Sequence, residues 1–281
     1  MESLLLGLTA ALAWGLHDFT VRRVSAAADA AALYLLVLGF GVLWLLPFAL
    51  LSQGWAALTL PLIGFTCLAG VIYALGVYAL YRAFAIGPVR LVAPICGAYP
   101  LLSVGLAMVQ GQPITPMVWL AAAAVVGGVA LVARGEGGDS AGPSRAAILW
   151  SILAAAGFFA SLAMLHSAAE GAADLPVTLI ARLVGCVPIV ALVLWQRVPV
   201  RPAFSVWPLL AMMAALDLAG MVAVTVAGGF ARPEFASVTS SCFGLVTVLL
   251  AWRFLGETVS RVQWAGIGVV FAGVAVLSLQ G

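Results

Sequence analysis

His17 and Asp18 stand side by side in LAWGLHDFTVRR, residues 12–23. An imidazole next to a carboxylate can hold or pass a proton near neutral pH. Trp14 precedes them by three and four positions, so on a helix the three side chains share one face. That face can stack on a solute through Trp14 while His17 and Asp18 bind or carry a proton. A plainer arrangement stays open, with Asp18 paired to Arg22 one turn later and His17 at an interface.

Two further charges interrupt apolar runs: Arg182 in TLIARLVGC and Asp217 in MMAALDLAGMVAV. Neither has a counter-charge within one helical turn, so another segment or water must satisfy each. Their opposite signs make them candidates for each other. Such a pair can staple two helices, or read the carboxylate and ammonium of a zwitterion. Phenols add to the set: Tyr78 and Tyr81 share a face of VIYALGVYALYRAF, with Tyr73 not far round. Tyr81, beside Arg82, has the position of an interfacial anchor. Tyr99 lies between Pro94 and Pro100, which remove backbone donors and break or hinge a helix. In lipid such a break is tolerated where it is buried in protein or lines water. VTSSCFG supplies the hydroxyls of Thr239, Ser240 and Ser241, which can bind a solute or simply let helices approach.

Other chemistries lack their residues. The sequence has no Walker motif, HExxH, GxSxG, acidic diphosphate-binding cluster or TVGYG-type filter. Cys67, Cys96, Cys186 and Cys242 form no CxxC or Cys/His cluster and read as packing residues. No cofactor and no metal are expected, and the protein is not expected to be an enzyme. An enzyme of lipid-linked substrates would need polar groups converging near one interface. A scaffold or receptor would not need buried charges on several helices.

The elements that hold these residues follow from composition. The 281 residues are 65% hydrophobic and 8% charged, with a mean hydropathy of +1.20. A soluble domain carries about 25% charged residues, so this chain is an integral membrane protein in contact with lipid. All twelve basic residues are Arg, and a scattered net charge of +2 excludes a nucleic-acid partner. The first apolar run lacks a basic n-region, so no cleavable leader is expected. A bilayer core of about 30 Å takes roughly 20 helical residues to cross. Apolar runs of that length predict ten spans, at 3–23, 31–51, 61–86, 88–109, 115–133, 146–168, 176–195, 206–229, 235–254 and 261–279. Asp18 then lies about 22 Å along the first helix, well past the midplane.

The Gly-rich segment 134–145 divides the chain into halves of five spans, 1–133 and 146–281. The halves resemble each other. GQPITPMVWLAAAAVVGGVALVA (111–133) aligns without gaps on GETVSRVQWAGIGVVFAGVAVLS (256–278), matching Gly111 with Gly256, Trp119 with Trp264 and Gly128 with Gly273. The same shift pairs Pro88 with Pro233. An odd number of spans per copy inverts the second copy in the membrane. The expected fold is therefore all-α, with ten transmembrane helices in two inverted five-helix repeats, a plan that sets a substrate site near the midplane between the copies.

Ten short-looped spans in two such repeats, WG in span 1 and GE…QWAG…AGV at the end, resemble the drug/metabolite transporter superfamily of the EamA type over nearly the whole chain. Within it, ALAWGLHDFTVRRVSAA and GPVRLVAPICGAYPLLS are most similar to the YddG-type amino-acid exporters of bacteria. Two positions depart from the repeat pattern: Gln112 stands opposite Glu257, and span 6 has AAAGFF where span 1 has LAWGLH. The resemblance implies alternating-access export of neutral or aromatic amino acids across a bacterial inner membrane. It also implies that Tyr78 and Tyr99 line a central cavity. Trp14, His17, Tyr78, Tyr99, Ser240, Arg182 and Asp217 are then the expected substrate contacts. Asp18 and Asp217 are expected to couple or compensate charge, and Pro94 and Pro100 to form the helix break. The alternative is proton-coupled export of cationic drugs or another metabolite. Two complete repeats remove the need for a partner subunit. Arginines flank the odd-numbered connections, which the positive-inside rule puts in the cytoplasm, whereas the superfamily usually keeps both termini there. An even number of spans puts both termini on one side in either case.

Overall fold

The computed structural model describes residues 2–109, 111, 115–134, 145–171, 174–227, 230, 236, 239–240 and 242–280. Most of the 134–145 linker, Gln112, Pro233 and Ser241 lie outside them. Regular structure among the described residues is helical: α1 (Glu2–Val24), α2 (Ala30–Leu51), α3 (Leu60–Ile86), α4 (Val89–Gly97), α5 (Pro100–Val109) and α6 (Pro116–Arg134). Then come α7 (Arg145–Gly171), α8 (Asp174–Trp195), α9 (Trp207–Ala227), α10 (Phe243–Phe254) and α11 (Arg261–Gln280). Five segments, Glu2–Val24, Ala30–Leu51, Leu60–Ile86, Asp174–Trp195 and Arg201–Ala227, are long and apolar enough to cross a membrane. In lipid a helix satisfies its backbone internally, which is why apolar runs of this length take no other form.

The fourth apolar run is two helices, because α4 stops at Gly97 and α5 starts at Pro100. Pro100 has no N–H to continue the ladder, and turn-type bonds from Ala98 to Ile95 and from Tyr99 to Cys96 close α4 instead. Pro94 lies inside α4 without ending it.

The outer surface is hydrocarbon: Leu51 is 86% exposed, Trp195 82% and Phe48 66%. With as little water outside the bundle as inside it, helices are selected by close fit rather than by amphipathicity. Accordingly α3 packs on α7 and α8, α9 on α1 and α2, α6 on α11, and α4 on α7 and α10. Glycines set the closest crossings. A Cβ on Gly157 would stand 2.6 Å from the Cα of Gly76, across the α3–α7 contact. In the α6–α11 pair, a Cβ on Gly128 would meet Gly266 and Val270, while one on Gly273 would meet Ala121 and Val125. These are corresponding positions in the two aligned segments. Gly111 and Gly256, which also correspond, both have left-handed backbones, at φ +73° and +68°.

One end of the bundle is tied by ionic groups. Glu257, in the α10–α11 connection, accepts from the N–H groups of Val89 and Arg90 at 3.0 and 3.3 Å and so caps the start of α4. Arg22 at the end of α1 lies 3.7 Å from Glu257 and donates to the Phe84 carbonyl at 3.3 Å. Asp29 accepts from Ala31 N–H at the start of α2 and pairs with Arg82 at 3.6 Å. Arg82 also lies over the Trp150 ring, at 5.9 Å.

Candidate functional site

A cavity of about 120 Å³ opens in the middle of the bundle, between α1, α2, α3, α7, α8, α9 and the ends of α4 and α10. An apolar protein cavity of ~150 Å³ holds benzene, so this space suits one small solute or one ring. Its wall is built from both halves of the chain. Trp14, His17 and Asp18 reach it from α1, as their spacing requires. Tyr73, Val77 and Leu80 reach it from α3, Phe158 from α7 and Phe243 from α10. Tyr99 sits at the α4–α5 break and also faces this space.

Arg182 of α8 and Asp217 of α9 form an ion pair in the wall, through Nη2 and Oδ2. The pair is buried, with the side chains 6% and 17% exposed. It fits because Gly41 on α2 leaves room: a Cβ there would stand 2.8 Å from Nη1 of Arg182. Trp14 is seated the same way, its indole ring against Gly220 of α9, where a Cβ would come within 2.6 Å of Nε1. The indole also interacts with the Asp217 carboxylate, and its ring meets Phe243 edge-on at 6.3 Å.

Beside this pair, Nδ1 of His17 lies 2.9 Å from Oδ1 of Asp18, and Nε2 of His17 lies 3.4 Å from the hydroxyl of Tyr81. Asp18 therefore has His17 and not Arg22 as its partner, since Arg22 turns to Glu257. Tyr81 is 1% exposed and holds His17, so it is a buried hydrogen-bonding residue rather than an interfacial anchor. Its ring lies 5.2 Å from that of Tyr34, another phenol of the cavity wall.

The structure brings together Trp14, His17, Asp18, Tyr99, Arg182 and Asp217. It places Tyr78 outside, edge-on to Trp150 at 5.8 Å. A helix turns 100° per residue, so with Tyr73, Val77 and Leu80 facing inward, Tyr78 points toward α7. Ser240 is buried but does not belong to the cavity wall. Tyr34 and Phe158 were not legible as cavity residues. Tyr34 stands five residues into α2, where an aromatic reads as an interface anchor, and Phe158 is one aromatic among many apolar neighbours. Cys96 is fully buried and donates to the Ser151 carbonyl at 3.6 Å, a packing role. Among the described residues no group of three or more His, Cys, Asp or Glu side chains is arranged to hold a metal.

An apolar multi-pass helical bundle around a charged, aromatic, solute-sized cavity defines a small-molecule membrane transporter. The family model of the EamA-like transporters matches residues 1–134 and 145–279, and the chain belongs to the EamA-like transporter family. A solved structure described only as "Crystal structure of protein" has the same fold, with a TM-score of 0.58 at 15% identity, over 99% of this chain and 96% of that one. No curated protein matches the chain.

Proposed function

We propose that the protein exports neutral or aromatic amino acids across a bacterial inner membrane, as a monomer, by alternating access around the central cavity. The observation that carries this reading is the buried Arg182–Asp217 pair in an aromatic cavity wall. It offers both charges that a zwitterion needs, while Trp14, Tyr73, Phe158 and Phe243 supply a surface for an apolar side chain. We read 1–133 and 146–281 as two inverted five-helix repeats joined by 134–145. Three facts support that: the family model matches two separate stretches, Gly128 and Gly273 use corresponding partners, and exchanging the halves converts the α3–α7 contact into α9–α1. The break at Tyr99, between Pro94 and Pro100, is then a place where the wall can flex.

A second reading, proton-coupled export of cationic drugs, draws on His17 and Asp18, which give the cavity a titratable pair beside Asp217. Flux into proteoliposomes separates the two. Labelled neutral and aromatic amino acids are expected to show saturable flux, and an imposed pH gradient reports whether protons are coupled. Asp217→Asn and Arg182→Gln are each expected to abolish amino-acid flux. Cation flux that is lost with Asp217→Asn and survives Arg182→Gln, with no amino-acid flux from folded protein, would replace the first reading by the second.

A further inference from the structure

The packing of the helices gathers the arginines at one end of the bundle. Polar ties there join the end of α1, with Arg22 and Arg23, to the end of α3, to the start of α4 at Arg90 and, through Glu257, to the α10–α11 connection. Arg82, at the end of α3, pairs with Asp29 before α2. α8 runs parallel to α3, since Gly70 meets Ala181 and Gly185 meets Ala74, so Arg197 and Arg201 in the α8–α9 connection come out at the same end. Ala147, in the first turn of the helix that Arg145 opens, packs on Gly87 just after α3. α6 and α11 run antiparallel, with Gly128 on Gly266 and Gly273 on Ala121, which brings the end of α6 at Arg134 to the start of α11 at Arg261. Arg253 lies in the last turn of α10, where the Trp252 and Trp264 rings meet at 6.0 Å.

Few carboxylates answer them. Asp29 and Glu257 are taken by Arg82 and Arg22, and the linker adds Glu136 and Asp139 between Arg134 and Arg145. Arg23, Arg197, Arg201, Arg253 and Arg261 are exposed, and among the described residues none of them is paired with a carboxylate. Glu2 and Asp174 open α1 and α8 at the opposite end, and the other charges outside the cavity are Glu170, Glu234 and one arginine, Arg232. Trp195, 82% exposed, and Trp252, 49% exposed, set Arg197 and Arg253 at headgroup depth. Basic residues in short connections stay in the cytoplasm, where the anionic lipids of the inner leaflet attract them, and acidic residues weigh little in that rule. We propose that this end meets the anionic headgroups of the cytoplasmic leaflet, with the start of α1 and the end of α11 on the outer side. The orientation is the reverse of the superfamily's usual one. The ion pairs of Arg22 and Arg82 then lie on the cytoplasmic side of the bundle. Charge placement alone carries this orientation, whatever the cavity binds.

Added cysteines read the orientation, labelled with a membrane-impermeant maleimide in intact and in permeabilised bacterial cells, with wild type as the background. Ala26, exposed between α1 and α2, marks the arginine end, and Ala57, exposed before α3, marks the other. Both substitutions lie outside the helices α1–α11 and leave the core untouched. Ala57→Cys is expected to take the label in intact cells, and Ala26→Cys only after permeabilisation. Label on Ala26→Cys in intact cells, alone or together with Ala57→Cys, would overturn the orientation. The lipid contact is read from the lipids that the full chain retains in detergent. Phosphatidylglycerol is expected to be retained over phosphatidylcholine, and a variant with Arg23→Gln, Arg253→Gln and Arg261→Gln to lose most of that preference. Equal retention of the two lipids by wild type, or an unchanged preference in the variant, would overturn the contact.

Discussion

A single charge inside an apolar helix is expensive; two opposite charges whose side chains meet inside the bundle are tolerable only together. That is why Asp217 and Arg182 could be picked out from sequence without any motif: the cost of each demanded a partner, and few partners existed. Tyr34 carries no such cost in sequence, because an aromatic near a helix end is ordinary in a membrane protein. Tyr78 and Tyr73 could not be ranked either. Which of them faces the cavity depends on the rotation of α3, and neighbouring residues as apolar as Leu75 (48% exposed) and Val77 (6% exposed) give no hint of it. The ion pair makes an energetic prediction. Asp217→Asn or Arg182→Gln alone strands a buried charge and is expected to lower stability by about 3–5 kcal/mol. The double variant is expected to recover most of the loss, read as the thermal midpoint of purified protein. Additive losses would mean the two residues do not act as a pair.

Helices here are positioned by what they lack. Gly76 and Gly157 let the backbones of α3 and α7 meet, and Gly128 and Gly266 do the same for α6 and α11. Gly157→Val is expected to push α3 from α7 and to lower the thermal midpoint, since overpacking costs typically ~1–3 kcal/mol and this contact is backbone to backbone. Gly64→Ala, on the same helix α3 with nothing within 4 Å of its added Cβ, is expected to be tolerated. Equal behaviour of the two variants would argue against close approach as the basis of the α3–α7 contact. The extents of most helices were legible, because bilayer thickness sets the length of an apolar run, and of the two prolines of span 4 it is Pro100 that marks its interruption. Their neighbours were not. A helix such as α2, apolar toward both lipid and protein, carries no stripe that points to a partner. Glu257 is a further case: it caps a helix start 168 residues away in sequence, a contact that no local pattern announces.

On the scale of the molecule, the bundle is tied at one end by Glu257 with Arg22 and Asp29 with Arg82, and it holds a small cavity lined from both halves of the chain. The lipid-facing surface, the ionic end and the central cavity are the three environments a solute carrier requires. If the solute occupies this cavity, filling the cavity must stop transport. Val77, 6% exposed, is an uncharged residue of the cavity wall on α3. Counterflow of labelled phenylalanine would be measured in proteoliposomes for wild type and Val77→Trp, each checked for the same elution profile and thermal midpoint. Saturable counterflow is expected from wild type, and its loss from the well-folded Val77→Trp. Counterflow by Val77→Trp with an unchanged KM would contradict it, because the solute would then cross by another route.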